Sequence, residues 1–172
     1  MKKLPIIALF ILMASFEVTA QLKIGYTNPE VILSQLPEVQ EIDAEITLLL
    51  ERKDSLLAIK AIPLQKEFND YDAEKENLSP DQRRIREQAL LEKNQAFEQE
   101  RQNSLNEVQQ RQIALLRPVE NKIYAEIRKV ANTLGLDMVL NEGSVNGGAV
   151  IFYASEDQIN ITEMVLENLK KS

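Results

Sequence analysis

Asn77-Leu78-Ser79-Pro80-Asp81-Gln82 stands near the middle of a tract, residues 26 to 134, that contains no glycine and is rich in Glu, Gln, Lys, Arg, Leu and Ala. All five glycines lie at Gly25 or from Gly135 onward. Glycine is the usual turn and C-cap residue, so a tract this long without one reads as long helix. Within it, Ser79 is placed to cap a helix, Pro80 to occupy its first position and Gln82 to complete a capping box. One helix therefore ends and a second begins at this point, which predicts a very long antiparallel helical hairpin.

Working toward the N-terminus, apolar residues fall at Val39, Ile42, Ile46, Leu49 and Leu56, with Lys53 and Lys60 in the same alternation of three and four. That spacing predicts a heptad seam. Leu50, Leu57, Ile59 and Ile62 widen the apolar face beyond what one partner helix needs. Past Pro63 the seam thins to Leu64, Phe68, Tyr71 and Leu78, so the arm is expected to be held loosely near its tip. The returning helix carries Ile85, Ala89, Ala96, Leu105, Val108, Leu115, Val119, Ile123, Ile127, Val130 and Leu134, and Gly135 ends it. Pro63 is expected to bend the arm and Pro118 to mark where it joins a base.

The two ends of the chain differ from the arm. Leu22 to Tyr26 alternates as a short strand, and Asn28-Pro29 opens a brief helix that stops before Pro37. Asp137 to Asn141 and Ala149 to Tyr153 read as strands of a β-hairpin turning through residues 142 to 148. Asn160 and Glu163 suggest a capping box for a last helix whose apolar face is Ile161, Met164, Val165 and Leu169, laid across the sheet. The fold class is α+β, mostly α: a helical-hairpin arm, residues 38–118, on a small β-containing base, residues 21–37 and 119–172.

Met1-Lys2-Lys3, the apolar run from Leu4 to Phe16 and Val18-Thr19-Ala20 have the pattern of a secretory signal peptide, residues 1–20, cut after Ala20. Its removal leaves 18 basic and 26 acidic residues. That balance argues against a nucleic-acid partner. The chain has no His and no Cys, so it lacks an imidazole base, a thiolate nucleophile and the usual zinc ligands. The carboxylates are scattered along helices rather than convergent, and residues 143 to 148 lack the lysine of a phosphate loop. The expectation is no enzyme, no cofactor and no metal site.

A base this small and a two-helix arm each bury too little surface to stand alone. Association through the strands would supply the missing burial and leave several arms enclosing a space. Leu57, Ile59, Ile62, Phe68, Tyr71, Leu90, Leu91 and Phe97 are the candidate residues facing it, where many weak apolar contacts would hold an unfolded chain.

The strand Lys23-Ile24-Gly25-Tyr26, the arm fragment Ala96-Phe97-Glu98-Gln99-Glu100-Arg101, the strand Leu136-Asp137-Met138-Val139-Leu140 and the ending Ile161-Thr162-Glu163-Met164-Val165-Leu166 together resemble the Skp, or OmpH-like, family over essentially the whole mature chain. The resemblance implies a periplasmic homotrimer of jellyfish shape, an ATP-independent holdase for unfolded outer-membrane proteins. It assigns Ile24, Tyr26, Val139, Leu140, Val150 and Phe152 to the oligomeric body. Well-known members are basic, whereas this chain has a sequence pI of about 4.8. Arg83, Arg84 and Arg86 form the one local basic cluster, at the tip, which leaves room for peripheral contact with the envelope membrane. The rival reading is a structural or adaptor coiled-coil protein of the envelope without chaperone activity.

Overall fold

The computed structural model describes residues 22–143, 148, 150–155 and 158–171. The expected signal peptide lies outside the described residues, as do 144–147 and Ala149 of the expected hairpin.

Strand β1 (Ile24–Thr27) passes through Asn28 into helix α1 (Pro29–Ser34). The Asn28 side chain accepts the Val31 N–H at 3.1 Å, and Pro29 fills a position whose N–H would be unpaired in any case. Pro37 then starts α2 (Pro37–Glu74), 38 residues that continue as helix through Pro63. A 3₁₀ turn (Lys75–Asn77) and Leu78 lead to the cap foreseen at Ser79. Its hydroxyl accepts the Gln82 N–H at 3.3 Å, while the Gln82 side chain accepts the Ser79 N–H at 3.0 Å. Helix α3 (Pro80–Leu134) is 55 residues long, runs through Pro118, and stops at Gly135, whose φ of 63° suits a residue without Cβ. At a rise of about 1.5 Å per residue, α2 reaches roughly 57 Å from the base.

Strands β2 (Met138–Asn141) and β3 (Ile159–Asn160) lie on either side of β1, in the order β2-β1-β3, and both run parallel to it. This replaces the expected β-hairpin. Residues 150–155 form no ladder with β2; the Val150 and Ile151 N–H groups both donate to the Glu142 carbonyl, at 3.0 and 3.4 Å. Parallel neighbours need a long crossover, and between β1 and β2 the entire arm is that crossover. Gly25 suits the centre of the sheet, because a Cβ there would push the Leu136 side chain aside from 2.6 Å and sit tightly, at 3.1 Å, against the Ile159 carbonyl oxygen.

Helix α4 (Thr162–Lys170) packs on α3 and α1. Asn160 belongs to β3, and its side chain accepts the Thr162 N–H at 2.9 Å, so the expected box with Glu163 does not form. The buried face of α4 is Val165 and Leu166, preceded by Ile161, while Met164 is exposed. Leu166 takes the place expected of Met164. These side chains join Ile32 of α1, Leu36 and Val39 at the start of α2, and Val119, Ile123 and Val130 of α3 in one core, with Val139 and Ile159 packed against it from the sheet. Full burial of such a side chain stabilises by about 1.5–3 kcal/mol, so this cluster anchors the arm to the base. Thr27 and Thr162 are buried with their hydroxyl oxygens 3.3 Å apart, and Thr162 Oγ1 also accepts the Asn28 N–H at 3.0 Å. Lys23 Nζ donates to the Leu134 carbonyl at 2.5 Å, satisfying one acceptor at the end of α3.

Candidate functional site

The two helices of the arm are held by a ladder of ion pairs that reaches the tip. Moving outward, the rungs are Glu38–Lys122 at 2.7 Å, Glu45–Arg111 at 2.7 Å, Lys53–Glu107 at 2.5 Å, Lys60–Glu100, Glu67–Lys93 at 2.5 Å and Glu74–Arg86 at 3.3 Å. Steps of seven or eight along α2 return to one face of a helix, so all six rungs lie along one edge of the arm. At the tip, the Tyr71 hydroxyl donates to Glu87, and Arg83 donates to the Lys75 carbonyl at 2.8 Å. The arm is thus paired beyond Pro63, contrary to the expectation of a loose end. Polar partners take over where apolar ones run out, and composition alone does not show who those partners are.

Beside the ladder runs the seam. On α2 it passes through the half-buried Ile42, Lys53, Leu64 and Lys75, an eleven-residue repeat rather than a heptad. Eleven residues in three turns, about 3.67 per turn, call for no left-handed supercoil and at most a slight right-handed one. The longer repeat brings Leu57 inward and leaves Leu56 exposed, the reverse of the heptad reading. On α3, Leu90, Phe97, Val108 and Leu116 face α2, while Ile85, Ala89, Ala96 and Leu105 are exposed.

The candidate apolar residues of the arm therefore divide. Leu90 is only 6% exposed, and Leu57, Phe68, Tyr71 and Phe97 are half-buried in or beside the seam. Ile59, Ile62 and Leu91 are outward, at 66%, 71% and 56% exposure. Leu48, which sequence reading passed over, and Leu56, which it placed in the seam, join them, since a residue is recognised as off the seam only once the true repeat is known.

Two grooves open between the helices on the ladder edge. One, of about 370 Å³, is lined by Leu48, Leu49 and Arg52 between the Glu45–Arg111 and Lys53–Glu107 rungs. The other, of about 280 Å³, has Pro63, Leu64, Ala96 and Phe97, between the Lys60–Glu100 and Glu67–Lys93 rungs.

The base offers a second apolar surface. Parallel pairing puts Ile24 beside Met138 and Tyr26 beside Leu140 on the face of the sheet turned away from the core. Met138 and Leu140 are exposed, as are Val150 and Phe152, the latter at 91%. Val139 pairs with Gly25 and packs on the core instead, so its outward place belongs to Met138.

The three arginines at the tip are not free cations. Arg83 is half-buried on the Lys75 carbonyl, and its Nε is enclosed without a hydrogen-bond partner. Arg84 lies 3.7 Å from Asp81, and Arg86 pairs with Glu74. From residue 70 to 87 there are six carboxylates against four cations, so the arginines sit in a segment that is acidic as a whole. The hydrogen bond to Glu87 raises the Tyr71 pKa above its ordinary value, and the bond to Asp70 does the same for Lys66.

Among the described residues, no group of His, Cys, Asp or Glu is placed to hold a metal ion, and no helix is long and apolar enough to cross a membrane. Fold and surfaces together define a class: a helical hairpin carried on a small parallel sheet, displaying apolar surface along the arm and on the base. The chain belongs to the OmpH-like (Skp) family of outer membrane proteins, whose family model matches residues 23–169. It is similar in fold to the crystal structure of a candidate outer membrane chaperone (OmpH-like) from Caulobacter crescentus CB15. That similarity has a TM-score of 0.65 at 17% identity, covering 88% of this chain and 86% of the other. A comparison with curated protein sequences gave no match.

Proposed function

We propose that this protein is an ATP-independent holdase that keeps unfolded outer-membrane proteins from aggregating in the periplasm, after export by a signal peptide cut at Ala20. The observation that carries this reading is the arm itself, two helices joined to a small base and displaying Leu48, Leu56, Ile59, Ile62 and Leu91 to solvent. Isolated apolar side chains on a surface are ordinary, but several gathered along one arm, as Leu48, Leu56 and Ile59 are on α2, mark an interaction surface. Family membership and the candidate outer membrane chaperone of similar fold support the same reading. No catalytic step is assigned to it.

Residues 21–37 and 119–172 serve as the body and residues 38–118 as the arm. The body associates as a homotrimer through the outward sheet face of Ile24, Tyr26, Met138 and Leu140, with Val150 and Phe152 beside it. Three arms then enclose the space in which a client is held. Stoichiometric addition of the protein to an outer-membrane β-barrel diluted from urea suppresses its aggregation if this reading is right.

The continuity of the ladder to the tip favours a second reading, in which the arm is a rigid adaptor docking on another coiled coil. Absence of aggregation suppression would favour the adaptor.

A further inference from the structure

We infer that the ladder edge of the arm is a two-groove site for an extended peptide with an apolar residue at every second position, the segment lying along the arm and placing one side chain in each groove.

The inference rests on the holding function proposed above and assigns it a surface. Leu48 and Leu49 of the first groove precede Pro63 and Leu64 of the second by fifteen residues, about 22 Å along a helix. An extended chain rises about 3.3–3.4 Å per residue, so six residues cover about 20 Å, and an even number returns the side chain to the same face. Leu56 and Ile59, eight and eleven residues beyond Leu48, are on the same strip of α2 and exposed, so the intervening side chains of such a segment meet apolar surface as well.

The rims specify an extended occupant over a helical one. Each groove is framed by two rungs, and each rung presents a carboxylate together with an ammonium or guanidinium at the surface. An extended segment carries unpaired N–H and C=O groups that those rims can satisfy at any sequence, whereas a helix has satisfied its own. Strands of outer-membrane barrels have this alternating pattern, so an unfolded barrel offers many such segments. The opposite edge has exposed leucines too, Leu50 and Leu105. They lie five residues beyond the rung residues Glu45 and Glu100, a rotation of about 140°, and no rung frames them.

The test uses the full-length protein with a photo-crosslinking amino acid at Leu48 or Ile59, on the ladder edge, or at Leu50 or Leu105, on the other. The probe is an unfolded outer-membrane β-barrel diluted from urea. Crosslinking several-fold heavier at Leu48 and Ile59 is expected. A synthetic peptide with apolar residues at four alternate positions should also bind several-fold more tightly than a permuted peptide of the same composition, and Leu48→Asp with Ile59→Asp should abolish that preference while leaving helicity unchanged. Equal crosslinking on both edges, or equal binding of the two peptides, overturns the two-groove site even where the protein suppresses aggregation. A protein that suppresses no aggregation and forms no crosslink overturns the holding function and the site together.

Discussion

Lys53, on the outgoing helix of the arm, places its Nζ 2.5 Å from Glu107 on the returning one. Seven-residue steps outward from Lys53 reach Lys60, Glu67 and Glu74, and seven-residue steps back from Glu107 reach Glu100, Lys93 and Arg86, their respective partners. The register therefore holds without slip past Pro63. Displacement by one heptad would face Lys60 with Lys93 in one direction, or Glu67 with Glu100 in the other. Each displacement leaves the neighbouring pairs opposite in charge, so this one like-charge contact adds to the capped turn at Ser79 in fixing the register rather than setting it alone.

That arrangement is tested by charge reversal. Glu67→Lys faces Lys93 with a like charge and should destabilise the arm by about 0.5–1 kcal/mol, as expected for a solvent-exposed pair. Combining it with Lys93→Glu should restore most of the loss. Urea denaturation followed by circular dichroism measures both; equal loss in the single and double variants would show that the rung contributes nothing.

At the base, Gly25→Ala is expected to strain the sheet, since the new Cβ would displace Leu136 and press on the Ile159 carbonyl. Gly135→Ala has open space around its Cβ but keeps an unfavourable positive φ, for a loss of about 1 kcal/mol. Gly25→Ala should thus lower the thermal midpoint more than Gly135→Ala, and the reverse order would contradict the packing described.

The raised Tyr71 pKa gives a pH dependence at the tip. A neutral phenol donates to Glu87, and a phenolate cannot. Because the folded value lies above the unfolded one near 10, the contribution is complete below about pH 10 and is lost as pH rises through the folded value. In an alkaline titration followed by phenolate absorbance, Glu87→Gln should advance the ionisation of one tyrosine to lower pH. No change between the two proteins would remove the hydrogen bond from the account.

The proposed association of the body predicts that Leu140→Asp, on the outward face of β2, yields a monomer with the base core intact, whereas Val139→Asp disrupts folding. Sedimentation and circular dichroism separate these outcomes. A Leu140→Asp protein of unchanged mass would place the interface elsewhere.

Much of the arm was legible in local sequence. Ser79, Pro80 and Gln82 announced the turn, Gly135 the end of α3, and Lys53 its place in the seam, because caps and helical spacing act within a few residues; Lys60 left the seam and is an exposed rung to Glu100. The misreadings came from longer range. Leu56 and Leu57 exchange places because eleven residues, not seven, repeat the seam. The strand beginning at Met138 finds β1 across the whole arm instead of its sequence neighbour, and its alternation sends Val139 inward and Met138 outward. The tip arginines looked like a basic patch until Glu74, Asp81 and the Lys75 carbonyl were placed beside them.

The central claim is that the arm holds unfolded apolar chains. Light scattering of an outer-membrane β-barrel diluted from urea, with the full-length protein at stoichiometric ratio and without nucleotide, tests it most directly. The account predicts suppressed scattering, weakened by Leu48→Asp with Ile59→Asp. Scattering unchanged by the protein would contradict it.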